Sequence, residues 1–181
     1  MSLRLVATCA LGLEEFLEAE LRELGASKCR RERGAITFSG TWGDVLQTNW
    51  RLRTANRVLV ELAAWDGSNA EALEVGAGRL VENPKNWDGL QSTRLFDPRH
   101  TFAIRATTAR SQIRDTRWVG MKVKDGIVDA QRRRYGRRGS VDRKDPDIQL
   151  RVWLSRDRAT LLLDTSGDPL DRRGYRMATS E

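Results

Sequence analysis

Apolar positions recur along the first third of the chain with two different periods. "LRLVATC" (3–9) alternates as a strand, whereas "LEEFLEAELREL" (13–24) sets Leu13, Phe16, Leu17, Leu21 and Leu24 at helical spacing, with Gly25 as the stop. "SKCRRE" and "GAITFS" predict two strands around a tight turn at Arg33-Gly34. Thr41, three residues before Asp44, offers a capping-box-like start to a second helix, "WGDVLQTNWRLR". The dense apolar run "RVLVELAAW" (57–65) predicts a buried strand. This β-α-β-β-α-β order over residues 1–66 is that of a ferredoxin-like domain. The usual strand order of that arrangement puts strand 3 between strands 1 and 2, so Cys9 and Cys29 are expected not to form a disulfide.

The pattern changes after Trp65. A helix is expected over 69–82, then a turn-rich connection holding two of the four prolines. "TFAIRATT" (101–108) predicts a strand and "TRWVGMKVKDGIVDAQRRRYG" (116–136) a long helix. "DIQLRVWLS" and "RATLLLDTS" form a strand pair around a turn at Arg156-Asp157. Strand, helix and strand with continuous apolar runs indicate an α/β domain over 67–170 with at least one parallel pairing. The fold class is thus α+β for the first domain and α/β for the second, with 171–181 as a linker.

Composition narrows the functional classes. At 181 residues and 39% hydrophobic content the chain can bury a real core. It has neither a long apolar run of membrane-span length nor a secretory leader pattern, so no membrane partner and a cytoplasmic location are expected. The two cysteines are too few for a disulfide framework, have no metal-type spacing, and are expected to be small buried hydrophobes.

Charge is unevenly placed. Residues 1–98 hold 12 Lys+Arg against 14 Asp+Glu, whereas residues 99–181 hold 20 against 11, which puts the net positive charge in the second half. A polyanion surface on that half follows from the asymmetry, and so does a generic solvated basic face.

The stretch 105–139 carries the most chemistry. Val119, Val123, Ile127 and Ala130 form one helical stripe, with Gly126 beside it permitting close approach, so this face belongs to the core. Asp115 or Thr116 can cap the helix start, where unpaired N–H groups favour phosphate. Ser111, Arg114 and Arg117 lie next to that start, together with Arg105, Arg110, Lys122 and Lys124. Arg132, Arg133, Arg137 and Arg138 form a broader basic rim, and Arg172, Arg173 and Arg176 a last cluster facing RNA or a following domain. Most tryptophans are expected to pack, Trp42 and Trp153 within amphipathic patterns, while Trp118 is the candidate for stacking on a base. A second reading stands beside this one: Arg114 and Arg117 pair with Asp115, Asp125 or Asp129, and the 132–138 cations only complement a helix end.

Other motifs carry less. "EVGAG" (74–78) has the glycine spacing of an S-adenosylmethionine loop but follows a helical pattern rather than a buried strand, so no cofactor is expected there. His100 is the single histidine and belongs to a loop, and no catalytic or metal constellation can be assembled.

"IRDTRWVGMKVKDGIVDAQRRRYGRRGSVDRKDPDIQLRVWLSRDRATLLLDTSGDPLDRRGYR" resembles the THUMP-domain region of bacterial large-subunit (23S) ribosomal RNA guanine-N2 methyltransferases. "GLEEFLEAELRELG" and "NWRLRTANRVLVEL" resemble the ferredoxin-like lead-in of the same family. The resemblance implies an RNA-docking region, with S-adenosylmethionine held by a Rossmann-like methyltransferase domain after the Gly-Tyr-Arg element, and in some members a second domain for guanine N7. By that resemblance the chain alone does not methylate, and its THUMP boundary can be set as early as residue 43. Family members carry His where this chain has Asp171, which weakens a phosphate role for that turn. Related THUMP enzymes acting on tRNA supply an alternative partner, and a non-enzymatic module binding acidic protein supplies another.

Overall fold

The computed structural model describes residues 2–83 and 85–172. The described residues form two compact units, residues 2–60 with 164–172, and residues from 61 to 163.

The first unit contains β1 (Leu3–Cys9), α1 (Glu14–Glu23), β2 (Ser27–Glu32), β3 (Ala35–Gly40), α2 (Trp42–Arg51) and the start of β4 (Ala55–Asp66). Its strands lie in the order β2-β3-β1-β4. β1 runs antiparallel to both neighbours, as the split βαβ order requires. β3 therefore separates β1 from β2, and Cys9 and Cys29 are free thiols. Cys9 is buried, but Cys29 is only partly so, because β2 is an edge strand whose side chains are mostly exposed.

Local signals act as their chemistry predicts. Thr41 accepts from the Asp44 N–H while the Asp44 carboxylate accepts from the Thr41 N–H, a complete capping box. The α1 stripe differs from expectation. Leu17 and Leu21 are fully buried, but Phe16 is exposed and Glu18 takes an inner position. The reason for the Glu18 position is ionic: Glu18 accepts from Arg22 at 2.6 Å and from Arg31 on β2 at 2.7 Å. The Arg31 contact holds the Glu18 carboxyl below the usual carboxylate range.

The second unit takes the rest of β4, then α3 (Ala70–Glu82), the two-residue strands β5 (Asn86–Trp87) and β6 (Leu90–Gln91), and a single turn α4 (Ser92–Leu95). β7 (Phe102–Ala109), α5 (Thr116–Tyr135), β8 (Ile148–Ser155) and β9 (Arg158–Asp164) follow. Within this unit the strand order is β4-β9-β8-β7, with β7 parallel to β8 and β8 antiparallel to β9. The turn joining β8 to β9 has positive φ at both Arg156 (51°) and Asp157 (57°), the left-handed pair of a two-residue hairpin.

The core of this unit is built on the predicted helical stripe. Val119, Val123, Ile127 and Ala130 are fully buried, with Leu73, Ala77, Val152 and Leu161 in the same cluster. Glycines let α3 and α5 approach. A Cβ at Gly126 would fall on the backbone of Glu74, and one at Gly76 would fall on the Trp65 ring. Gly136, at φ 67°, ends α5 in the left-handed conformation.

Candidate nucleic-acid interface

β7 and β8 are parallel, so their carboxyl ends lie side by side, and the chain leaving β7 must turn before entering α5. That turn, residues 110–115, packs beside the β8–β9 hairpin. The Gln112 N–H donates to Asp157 Oδ1 at 3.0 Å and the Asp157 N–H donates to Ser111 Oγ at 3.0 Å. The Arg156 N–H reaches the Ala109 carbonyl, and the Gly67 N–H reaches the Asp157 carbonyl. Thr108 Oγ1 donates to the Arg114 carbonyl at 3.2 Å and closes the loop on itself. Asp157 thereby fixes the loop at one point and the β4–α3 connection at another.

A cavity of about 630 Å³ opens between these segments, lined by Thr108 to Gln112, Arg114 and Asp157. Arg110 and Arg114 are exposed on its wall and have no ion-pair partner among the described residues. Arg105 on β7 and Arg117 on the first turn of α5 are likewise exposed and unpaired there. Arg110 adopts φ 53°, a left-handed conformation uncommon for a non-glycine residue.

The remaining candidate cations are placed differently. Lys122 bonds Glu74 of α3 at 2.8 Å, which raises its pKa, and its ammonium lies 5.8 Å from the Trp118 ring centroid. Lys124 pairs with Asp125, Arg132 with Asp129 and Arg133 with Glu82. Asp125 and Asp129 thus hold Lys124 and Arg132 rather than Arg114 or Arg117. Trp118 is half-buried against the core cluster. Arg137 and Arg138 follow the Gly136 cap and are exposed, and Arg172 ends a short 3-10 turn at Leu170–Arg172. Arg173 and Arg176 lie outside the described residues.

The helix start is less open to anions than its N–H groups alone would make it. Asp115, not Thr116, is the cap, and its carboxylate accepts from the N–H groups of Arg117 and Trp118. The Ser111 hydroxyl is also committed, accepting from Asp157 and donating to Ala109. The positive charge left uncompensated at this point is therefore that of the exposed guanidinium groups rather than that of the helix dipole.

Sequence reasoning overlooked three residues of this neighbourhood. Asp157 and Gln112 line the cavity, and exposed Arg156 is carried beside β7 by the hairpin. The signal for them was the turn at Arg156-Asp157, but its position beside residue 109 depends on the parallel pairing. Arg134, next to the predicted rim, bonds the carbonyls of Val81 and Glu82 at 2.9 Å and so caps the end of α3.

S-adenosylmethionine does not fit the residues of "EVGAG". Gly76 and Gly78 lie inside α3, and their open sides are filled by Trp65 and by α5 respectively. Among the described residues there is also no cluster of side chains suited to a metal ion, and no helix is long and apolar enough to cross a membrane.

Comparison with known proteins agrees with this architecture. Residues 4–59 match the RlmL ferredoxin-like domain, and residues 88–164 match the THUMP domain. A predicted N6-adenine-specific DNA methylase from Listeria monocytogenes is 26% identical, with a TM-score of 0.78 over 100% of this chain and 45% of that one. A possible methylase from Clostridium difficile is 27% identical, with a TM-score of 0.80 over 97% of this chain and 44% of that one. SMU.472, a putative methyltransferase solved with SAH, is 26% identical, with a TM-score of 0.77 over 98% and 45%. This chain therefore spans less than half the length of each of these structures. In sequence and in fold, it is an RlmL-type ferredoxin-like domain followed by a THUMP domain.

Proposed function

We propose that this chain is the RNA-docking region of an S-adenosylmethionine-dependent methyltransferase that modifies guanine N2 of 23S ribosomal RNA. The carrying observation is the cavity beside β7, where Arg110 and Arg114 stand exposed and unpaired among the described residues while Asp157 fixes the loop that presents them. Guanidinium groups presented from an anchored loop suit the phosphates of a folded RNA, which proteins recognise by shape and backbone geometry more than by base edges. Arg105, Arg117 and Arg156 extend the positive surface around that point. Methyl transfer belongs to a domain beyond this chain. That assignment is supported by the SAH-bound neighbour, of which the chain covers 45%.

The test is titration of the 181-residue chain with a 23S rRNA hairpin, a tRNA and a DNA duplex at low salt. The reading expects the hairpin to win the competition and S-adenosylmethionine to bind this chain negligibly. Preference for tRNA would move the substrate class, and binding that resists high salt and needs no nucleic acid would contradict the RNA reading.

A further inference from the structure

One face of α2 is at odds with the rest of the first unit. Trp42, Leu46 and Trp50 recur at four-residue steps and so share one side of the helix, opposite buried Thr48. Trp50 is 83% exposed and Leu46 73% exposed, the two most exposed large apolar side chains among the described residues. Between Trp42 and Trp50 the only charged residue is Asp44, which is occupied by the capping box. A surface for phosphates would need cations, and this stretch has none.

Residues 164–172 run back to the same helix. Asn49 Nδ2 donates to Thr165 Oγ1 at 2.9 Å, and Ser166 Oγ donates to Asn49 Oδ1 at 2.7 Å. Arg57 pairs with fully buried Asp164 and donates to the Gly167 carbonyl at 2.8 Å. The Val58 N–H donates to Ser166 Oγ, and Leu170 is buried. The chain is therefore fixed through Gly167 to the unit that holds α2, and Asn49 immediately precedes Trp50.

We propose that the Trp42–Leu46–Trp50 face of α2 is the docking surface for the domain that follows this chain in the full-length protein. The proposal rests on the functional reading above, which places a methyltransferase domain there. More than half the length of the similar structures lies outside the region this chain covers, so the occupant is of domain size. Residues 164–167 deliver the polypeptide beside α2, and tethering makes a small apolar patch sufficient, because docking is then intramolecular. Trp50 and Leu46, with the exposed part of half-buried Trp42, supply about 400 Å² on one side, or about 800 Å² counted over both partners, within the range of interfaces between domains of one chain.

Hydroxyl-radical footprinting of Trp50 and Leu46 tests this in the full-length protein against the 181-residue chain. Docking predicts that labelling of both falls about fivefold in the longer protein, since residues at an interface centre lose most of their exposure. Leu46→Glu combined with Trp50→Glu should leave the short chain folded and, in the long one, speed proteolysis between the two parts. Equal labelling in both proteins would overturn the docking surface alone. Protection that appears only when RNA is added, or that rises with concentration of the short chain, would overturn it in favour of RNA or of a second copy. A gene ending at codon 181 would overturn the functional reading together with the proposal.

Discussion

The body of α5 and the surroundings of the loop that feeds it both carry cations but use them differently. Along the helix, Lys122, Lys124, Arg132 and Arg133 are each matched by a carboxylate, two of them from α3. Around the loop, Arg105, Arg110, Arg114 and Arg117 have no such match among the described residues, and two of them line a cavity. Basic residues are therefore held by the fold in one place and left exposed without a carboxylate in the other. Each paired cation is already neutralised by a neighbour. An unpaired one stays available to release counterions from a nucleic acid.

If the helix body is structural, its closest packing point should be the most sensitive position. Gly126→Ala pushes a Cβ onto the Glu74 backbone, so we expect a loss of about 3 kcal/mol and a fall in Tm of roughly 6 to 12 °C by calorimetry. The loop should behave in the opposite sense. Arg110→Ala with Arg114→Ala should leave Tm unchanged but weaken RNA binding roughly 10- to 100-fold at low salt, the loss expected from two charge-assisted contacts. Asp157→Ala should weaken binding severalfold although it removes a negative charge, because the loop loses its Gln112 anchor while the residue 157 N–H still holds Ser111. A gain in affinity would instead show that Asp157 acts only by repulsion. Lys122→Ala, breaking a part-exposed pair with Glu74, should cost less than about 1 kcal/mol.

The smallest effect concerns acid. The Arg99 guanidinium bonded to Asp97 lowers that carboxyl to about 2, below its ordinary value. A carboxylate with a lowered pKa in the folded state contributes stability that is complete above the unfolded value. That contribution is lost as pH falls from about 4 towards 2. Asp147, held down by the Thr101 N–H and hydroxyl, titrates in the same direction. Carboxyl NMR shifts should give Asp97 a midpoint near 2, and a midpoint near 4 would show that the Arg99 contact is not maintained in solution.

Most of the fold was legible because its signals are local. The Thr41-Asp44 box, the Arg33-Gly34 turn and the Val119 stripe each depend on neighbours within a few residues. What was not legible depends on distant partners. Nothing near Lys122 or Arg133 in sequence announces Glu74 or Glu82, which lie 48 and 51 residues away. Glu18 is covered because Arg31 arrives on β2. Asp157 enters the candidate site only through the parallel register of β7 and β8, and Asn49 meets residues 165–166 across 116 positions of chain.

The salt dependence of RNA binding separates the two sets of cations most directly. Log affinity for an rRNA hairpin should be measured against log salt for the unaltered chain, for Arg110→Ala/Arg114→Ala and for Lys122→Ala/Arg133→Ala. Two lost phosphate contacts predict a slope shallower by about 1.4 to 1.8 in the first pair and unchanged in the second. Equal changes in the two pairs, or a change confined to Lys122 and Arg133, would contradict the division between structural and RNA-facing cations.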